Sequence, residues 1–242
     1  MMRGSWLLLC AVTHAVVVGT VNANVEKVIF LGSSPIALSA IPNAPPSLDT
    51  LRLDSLSPSQ SSSIVATQLP VLFPTTPVPR GEESWYLLKG LEQGRRYEVR
   101  ICWPATQPTD FWLDTYSIAH VFDTPDLISS LARYSEKRKE AKLTDGAFLS
   151  EHPPPQVQST LFLRVQAAAS YYSNNQTLME YPPAVHVDII LDPYILNIIP
   201  RSLAPTAAYI VFVAIGAWFI SGFIYRWLLT IAANPPPKPH VD

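Results

Sequence analysis

Trp85-Tyr86-Leu87-Leu88-Lys89-Gly90-Leu91-Glu92-Gln93-Gly94-Arg95-Arg96-Tyr97-Glu98-Val99-Arg100-Ile101 decides the fold. From Tyr97 onward, Tyr97, Val99 and Ile101 alternate with Glu98, Arg100 and Cys102. A strand turns successive side chains to opposite faces, so this pattern gives one apolar face and one mixed face. The run from Trp85 to Leu88 is apolar and aromatic, and Gly90 and Gly94 punctuate the space between the two segments. Two antiparallel strands around a tight crossing are expected.

Leu91, Gly94 and Tyr97 have the spacing of a tyrosine corner, in which a Tyr near the start of a strand returns its hydroxyl to upstream backbone. The expected fold class is therefore mainly β, an antiparallel sandwich of immunoglobulin or fibronectin type. Further strands are expected in Val28-Ile29-Phe30-Leu31, Thr160-Leu161-Phe162-Leu163-Arg164-Val165 and Val185-His186-Val187-Asp188-Ile189-Ile190-Leu191. Asp126 to Lys142 has helical character, with Leu127, Ile128, Leu131 and Tyr134 near one face and the charges from Glu136 to Lys142 on a solvated one. Ser33 to Arg80 is rich in Pro and Ser, which predicts a loop around 33–80 with few regular ladders and a mobile stretch from Ser55 to Ser63.

Outward from this domain lie two hydrophobic segments. Arg3, the apolar run Trp6 to Val18 and Val21-Asn22-Ala23 read as a signal peptide, residues 1–23, cleaved after Ala23. Residues 203–225 carry no charge and are long enough to cross a hydrocarbon core of roughly 30 Å. A transmembrane helix is expected there, with Pro205 in its first turn and a short cytosolic tail over 226–242. A lipid-anchor signal would end in its apolar tail, whereas Arg226 and a polar, Pro-rich stretch follow here. The expected topology is single-pass type I, with the bulk, residues 24–200, outside the cytosol.

A net charge of −2 supplies no basic surface for nucleic acid. Cys10 lies in the leader, so Cys102 stands alone without an internal disulfide and is expected to be a core thiol. Asn175-Gln176-Thr177 is an N-glycosylation sequon in a polar stretch, making Asn175 the expected glycan site. His120, His152 and His186 have no metal-ligand partners at motif spacing; His186 and Asp188 share a strand face, the pattern of an ordinary exposed face. No nucleophile elbow or phosphate-cradling loop occurs. No catalytic residue, cofactor or metal site is expected, and an accessory or binding role is the economical inference.

Tyr97-Glu98-Val99-Arg100-Ile101-Cys102-Trp103-Pro104, followed by Pro108-Thr109-Asp110-Phe111, together with the leader and the single C-terminal span, resembles the fungal co-activator subunit of GPI mannosyltransferase II, the Pga1 type. The resemblance implies an endoplasmic-reticulum glycoprotein that binds a polytopic catalytic mannosyltransferase. In that role it supports addition of the second mannose to the GPI precursor, with the catalytic residues in the partner. Trp103, Phe111 and Trp112, in and beyond a loop stiffened by Pro104 and Pro108, are the expected lumenal contact. Ala217 and Ser221, four apart on one helical face with Gly216 and Gly222 nearby, are the expected membrane contact. A cell-surface adhesion or receptor domain, and an endoplasmic-reticulum chaperone or cargo receptor, are the alternatives.

Overall fold

The segment from Trp85 to Ile101 forms two strands that belong to different sheets. In the computed structural model, which describes residues 24–233 except 36, 43, 60, 61 and 145–158, β4 spans Glu82–Leu91 and β5 spans Arg96–Cys102. The expected leader (1–23), the Pro153-Pro154-Pro155 run and the tail beyond Ala233 lie outside the described residues. The chain divides between Leu191 and Asp192 into two compact units.

In the first unit, β1 (Val25–Leu31), β5, β8 (Val185–Ile195) and β3 (Ile64–Leu69) form one sheet in the order β1-β5-β8-β3. β2 (Ser55–Leu56), β4, β7 (Ser159–Ala169) and β6 (Thr109–Ser117) form the other in the order β2-β4-β7-β6. β1 pairs antiparallel with β5, β3 with β8, and β7 with both β4 and β6; the short β2 runs parallel to β4. The alternating residues Tyr97, Val99 and Ile101 of one sheet join Tyr86, Leu88, Leu163 and Val165 of the other in a single buried cluster. At roughly 1.5–3 kcal/mol per buried large apolar side chain, this inter-sheet layer is the main stabilising element of the unit.

At the corner between sheets, the Tyr97 hydroxyl accepts a hydrogen bond from the Glu92 N–H at 2.9 Å, and the Tyr97 ring stacks on Phe30 with centroids 5.8 Å apart. Gly32 closes the corner from β1: its N–H donates to Arg95 O, and its carbonyl accepts from Gly94 N–H. A Cβ on Gly32 would lie 2.1 Å from Glu92 O, so only glycine fits this approach.

The second face of the β2-β4-β7-β6 sheet carries a helical layer. α1 (Ile118–Asp123) starts at Ser117, whose hydroxyl accepts from the His120 N–H, and α2 follows over Pro125–Thr144. Val121, Phe122, Leu127 and Leu131 pack on Trp85, Leu87 and Phe162, with Ile41 and Leu48 completing the cluster. The expected charged face of α2 is partly tethered: Lys137 pairs with Glu82 and Arg138 with Asp54. α3 is a short helix, Gln176–Glu180.

The second unit, from Asp192, contains the end of β8, the two-residue β9 (Ile199–Pro200) and α4 (Ala204–Ala233). The 30 residues of α4 extend about 45 Å at 1.5 Å per residue, long and apolar enough to cross a membrane. The helix continues eight residues past Tyr225, the expected end of the span, so 226–233 are helical.

Three expectations change. Among the described residues strand and helix content are about equal, because α2 and α4 are long, which corrects the expectation of a mainly β fold. The antiparallel sheets are present, but a parallel β2–β4 pair and a helical layer accompany them, and no immunoglobulin-type arrangement is established. Within the Pro/Ser-rich stretch, β2 and β3 form, because Pro is absent from Ile64–Leu69 and that strand pairs along its whole length with β8.

Candidate functional site

β5 ends at Cys102 and the chain turns through Trp103-Pro104 to re-enter the other sheet at Thr109. The turn is held by its own backbone and by its neighbours. Gln107 N–H donates to Pro104 O at 3.0 Å, and the Gln107 side chain donates to Ala184 O and accepts from His186 N–H. Trp103 N–H donates to Asn24 O, which ties the residue before β1 to the loop as well. With two prolines removing donors and restricting φ, the loop is pre-organised.

Trp103 and Phe111 meet with ring centroids 4.6 Å apart. Phe111 is only 5% exposed and belongs to the inter-sheet core. The physical reason is the strand period of β6: Phe111 and Leu113 turn inward, so Trp112 turns to the opposite face. There Trp112 is half-buried beneath Arg80, whose guanidinium carbon lies 5.6 Å from the ring centroid. The three rings still border one hollow of about 520 Å³, shared with Asp110, Pro108 and Asn24.

A second hollow of about 550 Å³ lies on the other side of Trp103, along the outer face of the β1-β5-β8-β3 sheet. Cys102, Gln68, His186 and Asp188 line it, and Gln68 Nε2 lies 3.3 Å from His186 Nε2. Cys102 is half-buried at this hollow rather than a core thiol. Burial pushes its thiol up from the ordinary value, with the nearby Arg100 opposing and Asp188 reinforcing the shift, so the thiol is a poor nucleophile at neutral pH. Among the described residues no group of three or more His, Cys, Asp and Glu side chains converges as a metal site.

Next to Trp112, on the same sheet face, sequence reasoning missed a polar network. Arg164 donates to Asp114 at 2.8 Å and to the Tyr116 hydroxyl at 2.7 Å. Glu83 accepts from Gln166 at 2.8 Å and from Ser130, which in turn accepts from the Trp85 indole at 3.0 Å. Period-two alternation around Arg164 and Gln166 was the available signal, since these polar residues sit between apolar neighbours of one strand. Burial raises the Tyr116 phenol, with Arg164 opposing.

Asn175 is exposed and caps α3, its Oδ1 accepting from the Thr177 N–H at 3.0 Å. In the second unit, Ala217 and Ser221 are exposed on α4, and a Cβ built on Gly216 or Gly222 would meet nothing within 4 Å.

Residues 59–137, which run from just before β3 into α2 and include the Trp103 loop, match the family model described as GPI-Mannosyltransferase II co-activator. A GPI mannosyltransferase 2 subunit of Schizosaccharomyces pombe is 26% identical over 141 residues, covering 57% of this chain and 55% of the relative. The alignment thus spans about half the length of that curated relative. No solved structure matches. On these matches, the chain resembles the GPI-mannosyltransferase II co-activators.

Proposed function

We propose that this chain is a non-catalytic accessory subunit of a GPI mannosyltransferase in the endoplasmic-reticulum membrane. It binds a polytopic catalytic subunit and supports addition of the second mannose to the GPI precursor. The observation that carries this reading is the family match over 59–137, which includes the Trp103 loop and the start of β6 that line part of the aromatic hollow. Residues 1–23 are a leader removed after Ala23, the sheet unit is lumenal, and α4 is the single span of a type I protein. Asn175 carries an N-linked glycan; its exposed place at a helix start supports access by the transferase.

Trp103 and Trp112, with Phe111 as the floor between them, form the lumenal contact. A rigid aromatic rim of this kind resembles the anchors that dominate protein interfaces. Ala217 and Ser221 form the membrane contact, where small side chains permit close helix approach.

Purification in mild detergent from native membranes tests the reading. One polytopic mannosyltransferase at stoichiometric yield is expected, and Trp103→Ala with Trp112→Ala is expected to reduce that yield at least threefold. Recovery of the protein without a mannosyltransferase and bearing Golgi-processed glycans would replace this reading with a cell-surface binding role.

A further inference from the structure

Within the second unit, the chain between β8 and β9 makes a turn whose chemistry is unusual for its geometry. Ile198 N–H donates to Ile195 O at 3.0 Å, and the two central residues, Leu196 and Asn197, have φ of 51° and 58°. This is the type I′ pattern, which favours Gly, Asn and Asp at both central positions because a Cβ is crowded there. Asn197 suits it. Leu196 does not, yet it is held in that conformation with 85% of its surface exposed, beside Ile198 at 71%. A large apolar side chain in a disfavoured backbone conformation and facing out has no explanation in the packing of the unit itself.

The turn is tethered to the start of α4. The Asp192 carboxylate accepts a hydrogen bond from Ser202 N–H at 3.1 Å, and Ser202 lies in the 3-10 turn Arg201–Leu203 that leads directly into the helix. The turn tip is four residues from Asp192, a reach of about 13 Å at roughly 3.3 Å per residue. A bilayer adds several ångströms of interfacial layer on each side of its hydrocarbon core. With α4 crossing that core, the tip is held within reach of this layer, and the exposed Arg201 stands where a long cationic side chain can meet head-group phosphates.

We infer that the Ile195–Ile198 turn is a membrane-surface anchor: Leu196 and Ile198 enter the interfacial layer of the bilayer beside the start of α4. The occupant of this exposed apolar tip is lipid, and the argument is its continuity with the lipid-facing helix of the same compact unit. The turn thereby fixes the depth at which α4 sits. The inference requires α4 to be a span, and is independent of the mannosyltransferase reading.

The test uses the full chain with Cys10→Ser and Cys102→Ser, reconstituted in phosphatidylcholine nanodiscs, with an environment-sensitive fluorophore on Leu196→Cys, on Ile198→Cys or on Ala214→Cys. Blue-shifted emission and at least twofold stronger quenching by lipid spin-labelled near the head group than by lipid labelled mid-chain are expected at either turn position. Mid-chain quenching is expected at Ala214→Cys. Water-like emission at both turn positions, with Ala214→Cys quenched, overturns the anchor while leaving the span intact. Absence of quenching at Ala214→Cys overturns both.

Discussion

Trp85 and Trp218 are the same side chain in opposite circumstances. Trp85 is fully buried, its indole N–H satisfied by Ser130 and its ring set against Phe162 at 6.1 Å. Trp218, on α4, is 80% exposed among neighbours that are also apolar and exposed. The first unit hides its apolar surface between its own layers, where removal from water provides the driving force. α4 hides nothing within the protein, and its backbone hydrogen bonds are satisfied inside the helix, the condition for a segment placed in lipid. Alternation along a strand marks what water drives inward, whereas the unbroken run of α4 has the length and composition that a hydrocarbon core accepts.

Truncating both tryptophans separates the two regions most strongly. Trp85→Ala is expected to destabilise the sheet unit by about 3–5 kcal/mol, the range for losing a buried large aromatic. Trp218→Ala is expected to leave the urea midpoint of that unit unchanged within error. Equal loss in both variants would end the distinction between the two regions.

A smaller effect isolates backbone fit from apolar burial. Gly81 has φ of 71°, and a Cβ there would lie 2.0 Å from Ala167 O at the end of β7. Gly81→Ala is expected to cost about 2–3 kcal/mol, whereas Gly216→Ala in α4, where a Cβ meets nothing, is expected to preserve helix content by circular dichroism. A neutral Gly81→Ala in urea unfolding would mean that β4 and β7 can move apart.

Tyr97→Phe removes the hydroxyl that accepts from Glu92 N–H, and a loss of about 1–2 kcal/mol is expected from that unpaired donor. It also tests a pH dependence. Burial raises the phenols of both Tyr86 and Tyr97 above the ordinary value of 10.0. In the unfolded chain these phenols ionise from about pH 10, while the folded chain keeps their protons, so the unfolded state binds fewer protons and stability falls as pH rises further. Their stabilisation is complete below pH 10 and lost above it. The urea midpoint should fall between pH 9 and pH 11, and fall less in Tyr97→Phe. The smallest expected effect is at Cys102: its raised thiol should alkylate severalfold more slowly than glutathione at pH 8 in a stopped-flow assay.

The corner at Tyr97 was legible because its geometry is local: three residues at fixed spacing determine one hydroxyl-to-backbone bond. The apolar face of α2 was legible for the same reason, Leu127 and Leu131 recurring at helical spacing and both buried. β3 was not legible. Ile64–Leu69 sits amid Ser and Pro, and its strand character comes from β8, more than a hundred residues later. The alternation that separates Phe111 from Trp112 was visible in principle, but only once that segment is known to be a strand, and Pro104 and Pro108 argued for a loop. The polar network around Arg164 was hidden because its partners come from β4, β6, β7 and α2, and no local pattern announces a meeting of four elements. Of the candidate site, the sequence supplied the rings but not the direction each one faces.

The strand order has a consequence for how the protein is made. β8 pairs with β3 and neighbours β5, so neither strand completes its sheet until β8 has been synthesised. At roughly 5–20 residues per second, the interval between β3 and β8 lasts on the order of 6–25 seconds. Throughout it, strand edges that will be interior remain open to other chains. The segment that closes them is also the one that leads into α4, so the unit acquires its last strand only as the apolar helix is being delivered. Nascent chains should therefore depend on a chaperone until the helix is synthesised, and a pause in translation after residue 170 should prolong that dependence.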